Sequence, residues 1–330
     1  MRKRIIYSFL LILTSTLFLL SCKDNGTAIP EGEENPTAYD WTKHQPFETD
    51  YIAESLPVST DYVSSPQIKG EVKLEESSGL AWSVKNPGML WTHNDSGNSN
   101  VLYLLDTATA EIVATYQILN TVNTDWEDVA VSTGPIEGES YVYISNTGDN
   151  AQKRNNYIIY RFVEPVFKEA DRGKTVRTEG LAVDAISFRY PDGNHDAEAI
   201  LVDPMTHDIF LTTKRDEVSH LYVIPYPQST SSSATVYLAG YFSFREASGS
   251  TMNLQGDKAI IRNRQHLFYW TRGEGESTVQ MLSRTPVQLP YVGEVQGEAV
   301  CFDDQDNYYT TSEQGASPVY PPLYKYFTKK

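Results

Sequence analysis

The sequence predicts an all-β chain folded as a five-bladed β-propeller, its last blade closed by a strand from the N-terminal side. Three observations predict it. From residue 67 onward, short runs rich in Val, Ile, Tyr and Phe alternate with Gly, Asn, Asp and Pro turns, the signature of many short strands. A polar residue followed by a short apolar run also returns along the chain. It stands as Ser77-Ser78-Gly79-Leu80-Ala81-Trp82, Asp125-Trp126-Glu127-Asp128-Val129-Ala130-Val131, Ala197-Glu198-Ala199-Ile200, Gly256-Asp257-Lys258-Ala259-Ile260 and Gly297-Glu298-Ala299-Val300. The markers Ser78, Glu127, Glu198, Asp257 and Glu298 are separated by 49, 71, 59 and 41 residues, near the roughly 40–50 residues of one blade. Finally, each marker leads four strands except the last, which leads three and leaves the segment Gln67 to Leu74 to complete the ring.

The elements follow in order. Arg2, Lys3 and Arg4 precede an apolar stretch from Ile5 to Leu20, so residues 1–21 read as a signal peptide. It ends in Phe18-Leu19-Leu20-Ser21-Cys22, which resembles a bacterial lipobox, with Cys22 as the acylated residue. Lys23-Asp24 resembles the tag of surface-exported Bacteroidetes lipoproteins. The expected location is therefore the cell envelope, lipid-anchored to the outer membrane, on either its surface or its periplasmic face. Residues 22–36 are polar and read as a flexible tether. Residues 37–66 carry Tyr39, Trp41, Phe47, Tyr51 and Ile52, too many large apolar groups for a free linker. They are expected to pack on the domain as an arm without regular structure, and residues 67–330 to form the propeller.

The first blade takes strands near residues 80–84, 88–92, 101–105 and 112–116. The second takes 129–131, 141–144, 157–162 and 185–188, with a charged excursion at 163–183. The third takes 200–202, 209–212, 221–224 and 236–238. The fourth takes 259–261, 266–270, 279–282 and 287–289, and the fifth takes 300–302, 308–311 and 323–326. A sixth blade is possible only if residues 163–183 or 37–66 hide strands. The two cysteines leave Cys301 without a disulfide partner once Cys22 is acylated, and its apolar strand makes it a buried small hydrophobe.

The chemistry is expected on one face. In an antiparallel blade the start of the first strand and the end of the second share a face. The second-strand exits are His93-Asn94-Asp95, Asn146-Thr147-Gly148-Asp149-Asn150, Thr213-Lys214-Arg215, Thr271-Arg272 and Ser312-Glu313. With the markers they place Asp95, Glu127, Asp149, Glu198, Asp257, Glu298 and Glu313 in one ring, interleaved with Lys214, Arg215 and Arg272. Crowded carboxylates raise one another's pKa, so either a divalent cation or the basic residues must offset them. Hard oxygen ligands suit Ca²⁺ or Mg²⁺, with Glu127, Glu198, Asp257 and Glu298 as the candidate ligands. His93, Asn94, Trp126 and Asn150 join the candidate ligand-binding set, Trp126 as an apolar wall beside Glu127 or as a sugar platform. In an enzyme, Glu127, Glu198 and Glu298 would be the catalytic acids. Acids at blade starts also serve a purely architectural purpose, accepting backbone N–H bonds between blades. The net charge of −16 disfavours nucleic acid and anionic lipid as partners. No Gly-x-Ser-x-Gly elbow, phosphate loop or His-rich metal spacing is present.

Six segments carry a resemblance: Glu76-Ser77-Ser78-Gly79-Leu80-Ala81, Leu90-Trp91-Thr92-His93-Asn94-Asp95-Ser96-Gly97, Asp125-Trp126-Glu127-Asp128, Gly148-Asp149-Asn150, Tyr190-Pro191-Asp192-Gly193 and His195-Asp196-Ala197-Glu198-Ala199. Together they resemble a widespread group of uncharacterised bacterial secreted β-propeller proteins, and more loosely the SdiA-regulated lipoproteins and the esterase-like and phytase-like propellers. The resemblance implies fold and site location, not a reaction. The expected function is a monomeric, surface-anchored propeller binding a glycan or phosphorylated compound at an acidic face that Ca²⁺ can load. A hydrolase using the same carboxylates, or a scaffold subunit, are the alternatives.

Overall fold

A computed structural model describes residues 39–329; the signal segment, Cys22, the tether and the first two residues of the arm lie outside the described residues. Residues 39–66 run along the rim of the disc. Trp41–Lys43 makes one 3-10 turn, capped by Asp40, which accepts the Thr42 N–H at 3.2 Å. β1 (Phe47–Glu48) lies parallel to the outer strand of the third blade. Ser59 N–H then donates to Gln288 at the edge of the fourth blade, and Val63 N–H to Phe327 beside the fifth. Trp41 and Leu56 bury their side chains on the way. The arm thus covers the otherwise open outer edges of the third and fourth blades and prolongs the pairing at the fifth.

β2 (Gln67–Glu71) belongs to the fifth blade and is its outermost strand. The first blade holds β3 (Ser77–Trp82), β4 (Met89–Asn94), β5 (Val101–Asp106) and β6 (Ile112–Gln117). The second holds β7 (Asp128–Thr133), β8 (Ser140–Asn146) and β9 (Tyr157–Val163); β10 (Thr175–Arg177) turns back to lie parallel on β6, and β11 (Asp184–Phe188) completes the sheet. The third holds β12 (Ala197–Val202), β13 (Ile209–Thr213), β14 (His220–Ile224) and β15 (Tyr237–Tyr241). The fourth holds β16 (Gly249–Met252), β17 (Lys258–Arg262), β18 (Leu267–Thr271), helix α1 (Thr278–Leu282) and β19 (Val287–Gln288). The fifth holds β20 (Gln296–Phe302), β21 (Tyr308–Glu313) and β22 (Pro322–Tyr326), with β2 paired antiparallel to β22. Five sheets, not six, make the ring, and the excursion at 163–183 supplies an edge strand to its neighbour.

The inner strands β3, β7, β12, β16 and β20 line the channel, each packed on the next, with β20 closing against β3. Hydroxyls stitch successive blades at one end: Ser78 donates to the Glu127 carbonyl at 2.6 Å, Thr147 to Ala197 at 2.7 Å, and Ser248 to Gly297 at 2.8 Å. At the channel's centre, Asp128 accepts N–H bonds from Val129, Ile200 and Ser250 at 2.8, 3.0 and 3.1 Å. One carboxylate therefore ties three blades together. Burial raises its pKa, and these donors oppose the rise. Cys301 is buried in β20, and burial holds its thiol well above the ordinary value.

The fourth blade departs from expectation. Its first strand is Gly249–Met252, and Lys258–Arg262 is the second. The marker is therefore Ser248, whose stretch Glu246-Ala247-Ser248-Gly249-Ser250 repeats Glu76-Ser77-Ser78-Gly79-Leu80. Asp257 lies in the turn at the opposite end of the channel, where Asn253 donates to it at 2.6 Å. Arg272 lies there too, at the end of a third strand, donating to Asp203 at 2.9 Å. Neither residue belongs to the ring of acids. Residues 279–282 are helical rather than a strand, because Ser277 and Gln280 cap each other's backbone.

Candidate cation site at the channel mouth

The mouth is built where the inner strands begin. Glu127 and Asp125 come from the loop entering β7. Asn146 fixes that loop by accepting the Asp125 N–H at 2.9 Å, and Asn123 accepts the Trp126 N–H at 3.0 Å. Gly148 lies flat beneath both acids: a Cβ there would fall on Glu127 Oε1 and stand 2.5 Å from Asp125 Cγ and Oδ2. Asp95, at the exit of β4, completes a first group with Asp125 and Glu127, their nearest oxygens within 4.8 Å of one another. A second group, Glu127, Asp196 and Glu198, meets the same distance.

The two sides of the mouth differ in charge balance. On the side of blades three to five, Lys214 reaches Glu198 and lies 3.4 Å from Glu298; Arg264 stands 3.4 Å from Glu298, and Arg215 bonds Asp196 at 3.1 Å. On the side of blades one and two, no basic side chain pairs with the Glu127 carboxylate among the described residues; its side-chain neighbour is the Asp125 carboxyl. Asp125 Oδ1 and Asn94 Oδ1 are buried there without a partner. Burial pushes Glu127 well above the ordinary range, helped by Glu198, Asp95, Asp125 and Asp196. Burial raises Asp125, and it raises Asp95 to about 6 and Glu313 to about 7. Burial and Glu298 push Glu198 up while Lys214 opposes them. The neighbouring glutamates hold Lys214 charged against its burial.

Of the expected site residues, the mouth gathers Asp95, Glu127, Glu198, Glu298, Glu313, Lys214, Arg215 and Asn94. Others serve elsewhere. Trp126 is fully buried, its indole N–H donating to the Val122 carbonyl at 3.0 Å, so it is core and not a sugar platform. His93 is also fully buried; it packs edge-on against Trp126, and burial lowers its pKa to about 4. Asp149 caps its own loop, accepting from Lys153 N–H, Arg154 N–H and the Tyr157 hydroxyl at 2.9, 2.7 and 3.0 Å. Asn150 meets Arg215 on the outer side. The sequence reading missed Asp125, Asp196 and Arg264. A signal existed for the first two: each acid stands two residues before a marker glutamate.

No family model matches the chain, and no curated protein matches it in sequence. Solved structures do. A gluconolactonase from Xanthomonas campestris is 9% identical, covering 87% of this chain and 96% of its own, at a TM-score of 0.47. A luciferin-regenerating enzyme is 10% identical, over 79% of this chain and 95% of that one, at 0.41. A calcium structure of a Trichoderma reesei carbohydrate-active enzyme of family AA12 is 12% identical, over 76% and 80%, at 0.41.

Proposed function

We propose that this protein is a lipid-anchored propeller that binds Ca²⁺ at the channel mouth and, through it, an oxygen-rich anionic ligand such as a phosphorylated compound or an acidic glycan. The observation that carries the reading is the Asp125 oxygen buried without a partner, beside a Glu127 carboxylate that no basic side chain pairs with. A buried charge without a counter-charge costs several kcal/mol, and a hard divalent cation removes that cost with oxygen ligands of this type. Asp95, Asp125 and Glu127 would hold the ion, with the Asn94 carbonyl alongside. The guanidinium groups of Arg215 and Arg264, 46% and 45% exposed, stand at the rim and offer donors to the anionic group of a ligand.

The test is thermal. Ca²⁺ added to chelator-treated protein should raise its melting temperature by mass action, and Glu127→Gln should abolish that rise. A parent protein indifferent to millimolar Ca²⁺ would mean that protons and basic side chains alone balance the mouth. Hydrolysis is the second reading. It is favoured by Glu127 and Glu198 oxygens within 4.8 Å and by a Glu313 that titrates near neutrality. Turnover of a phosphoester or glycoside that Glu198→Gln abolishes would establish it.

A further inference from the structure

The motif Tyr190-Pro191-Asp192-Gly193-x-His195 is not used by the mouth, yet it builds a second polar cluster on the third blade. His195 directs Nδ1 at Asp216, 3.0 Å from Oδ2. Its Nε2 faces the Tyr222 hydroxyl at 2.9 Å and Asp192 Oδ1 at 3.3 Å. The same hydroxyl lies 2.9 Å from each Asp192 oxygen and 3.3 Å from His220 Nδ1. The turn at Gly193, with φ 152°, folds Asp192 back over the imidazole. From these contacts we infer that Asp192, His195 and His220, with the Tyr222 oxygen, form a second metal site, selective for a borderline divalent ion of the Zn²⁺ class.

Three features support this. First, the spacing fits. An ion with N and O ligands at about 2.1 Å holds neighbouring ligand atoms roughly 3.0 Å apart at right angles and about 3.4 Å apart in a tetrahedron; the four atoms here are 2.9–3.3 Å from the Tyr222 oxygen or from each other across Asp192 and His195. Second, the outer contact fits. A metal-bound histidine donates its other ring N–H to a carboxylate, which fixes the ring and its tautomer, and Asp216 occupies that place on His195. Third, the proton count leaves a gap. A phenol has one proton and two lone pairs, but two acceptor-only oxygens and two imidazole nitrogens surround this one. With Nδ1 committed to Asp216, the cluster is completed by one added positive charge, which either a proton on His195 or a divalent ion can supply. The neighbouring Tyr190 hydroxyl, on a residue only 6% exposed, is also buried without a partner, its ring 4.6 Å from that of Tyr222. The donor set has no thiolate and mixes imidazole with carboxylate, which separates it from the all-oxygen mouth and favours Zn²⁺, Co²⁺ or Ni²⁺ over Ca²⁺. Asp192, 39% exposed, gives the ion an entry path.

The experiment titrates the purified full chain, chelator-treated and then saturated with Ca²⁺, with Zn²⁺ by calorimetry, and with Co²⁺ while recording its visible absorption. One equivalent of each ion should bind, Co²⁺ with the bands of a nitrogen-containing site. His220→Gln and Asp192→Asn, both at partly exposed positions that tolerate the change, should each weaken binding at least 10-fold. Asp216→Asn, a positioning residue, should weaken it roughly 10–100-fold and shift the Co²⁺ bands. Glu127→Gln should leave Zn²⁺ affinity unchanged even where it removes the Ca²⁺ response, so the two sites stand or fall separately. No Zn²⁺ binding at micromolar concentration, or binding that His220→Gln and Asp192→Asn leave untouched, overturns the assignment.

Discussion

Gly148→Ala tests the mouth through one methyl group. Residue 148 has an ordinary backbone conformation, so alanine meets no strain of its own. The new Cβ, however, falls on Glu127 Oε1 and 2.5 Å from Asp125 Cγ. At a van der Waals separation of about 3.5 Å, both carboxylates must retreat by roughly 1 Å or more. Glu127 is a long side chain and can swing into the channel, so the folding cost should stay near the 1–3 kcal/mol of ordinary overpacking. Ca²⁺ is less forgiving, because its oxygens sit at about 2.3–2.6 Å and a displaced carboxylate is lost as a ligand. The expected result is a protein that folds cooperatively in urea but binds Ca²⁺ at least 10-fold more weakly by calorimetry, about 1.4 kcal/mol. If Gly148→Ala binds Ca²⁺ as tightly as its parent, Asp125 and Glu127 are not its ligands.

Further outcomes follow from the same geometry. Lys214→Ala leaves Glu198 and Glu298 facing each other without their buried cation, so chemical denaturation should show a loss of about 3–5 kcal/mol, part of which a second change, Glu198→Gln, restores. Asp95 and Glu313 titrate at about 6 and about 7 in the folded protein, above their ordinary 3.8 and 4.5. The folded state thus keeps protons that the unfolded chain has released, and these two groups favour folding at low pH and cease to as pH rises through about 4 to 7. Melting curves of chelator-treated protein should show Glu313→Gln gaining on the parent between pH 5 and pH 7.5; an unchanged difference would refute the shift. Cys22→Ala should release the protein from the membrane fraction or leave uncleaved precursor, and unchanged partitioning would end the lipid-anchor reading.

Blades one, two, three and five were legible because their strands are runs of Val, Ile, Leu and Tyr bounded by turn residues. The fourth was misphased for a physical reason. Its inner strand, Gly249-Ser250-Thr251-Met252, is built largely of small polar residues, and these erase the apolar signal. The reading slid forward to Ala259-Ile260-Ile261, and with it moved the expected cation from Arg264 to Arg272. The repeat of Ser78-Gly79 in Ser248-Gly249 would have corrected both. Val279, Met281 and Leu282 read as a strand because three apolar residues in four fit either period; the pairing of Ser277 with Gln280 decides for helix. Trp126 and His93 illustrate a different limit. Both sit in polar stretches, and only the packing of the first blade on the second shows that they face inward. The His195 cluster was invisible as a unit, since Asp192, Asp216, His220 and Tyr222 come from three different segments of one blade.

The pairing of β2 with β22 carries a kinetic consequence. Ile68 meets Tyr324, so the seam that completes the ring joins segments about 250 residues apart. Closing a loop of that length costs on the order of 5 kcal/mol of chain entropy, recovered only when the final strand docks. Topologies dominated by such remote contacts fold slowly. During synthesis β2 is made first and waits, unpaired, for almost the whole propeller to follow. Once latched, the same seam works in reverse: neither terminus of the disc can peel away without breaking a strand pair shared by both. The rate at which this join opens then contributes to the protein's resistance to unfolding.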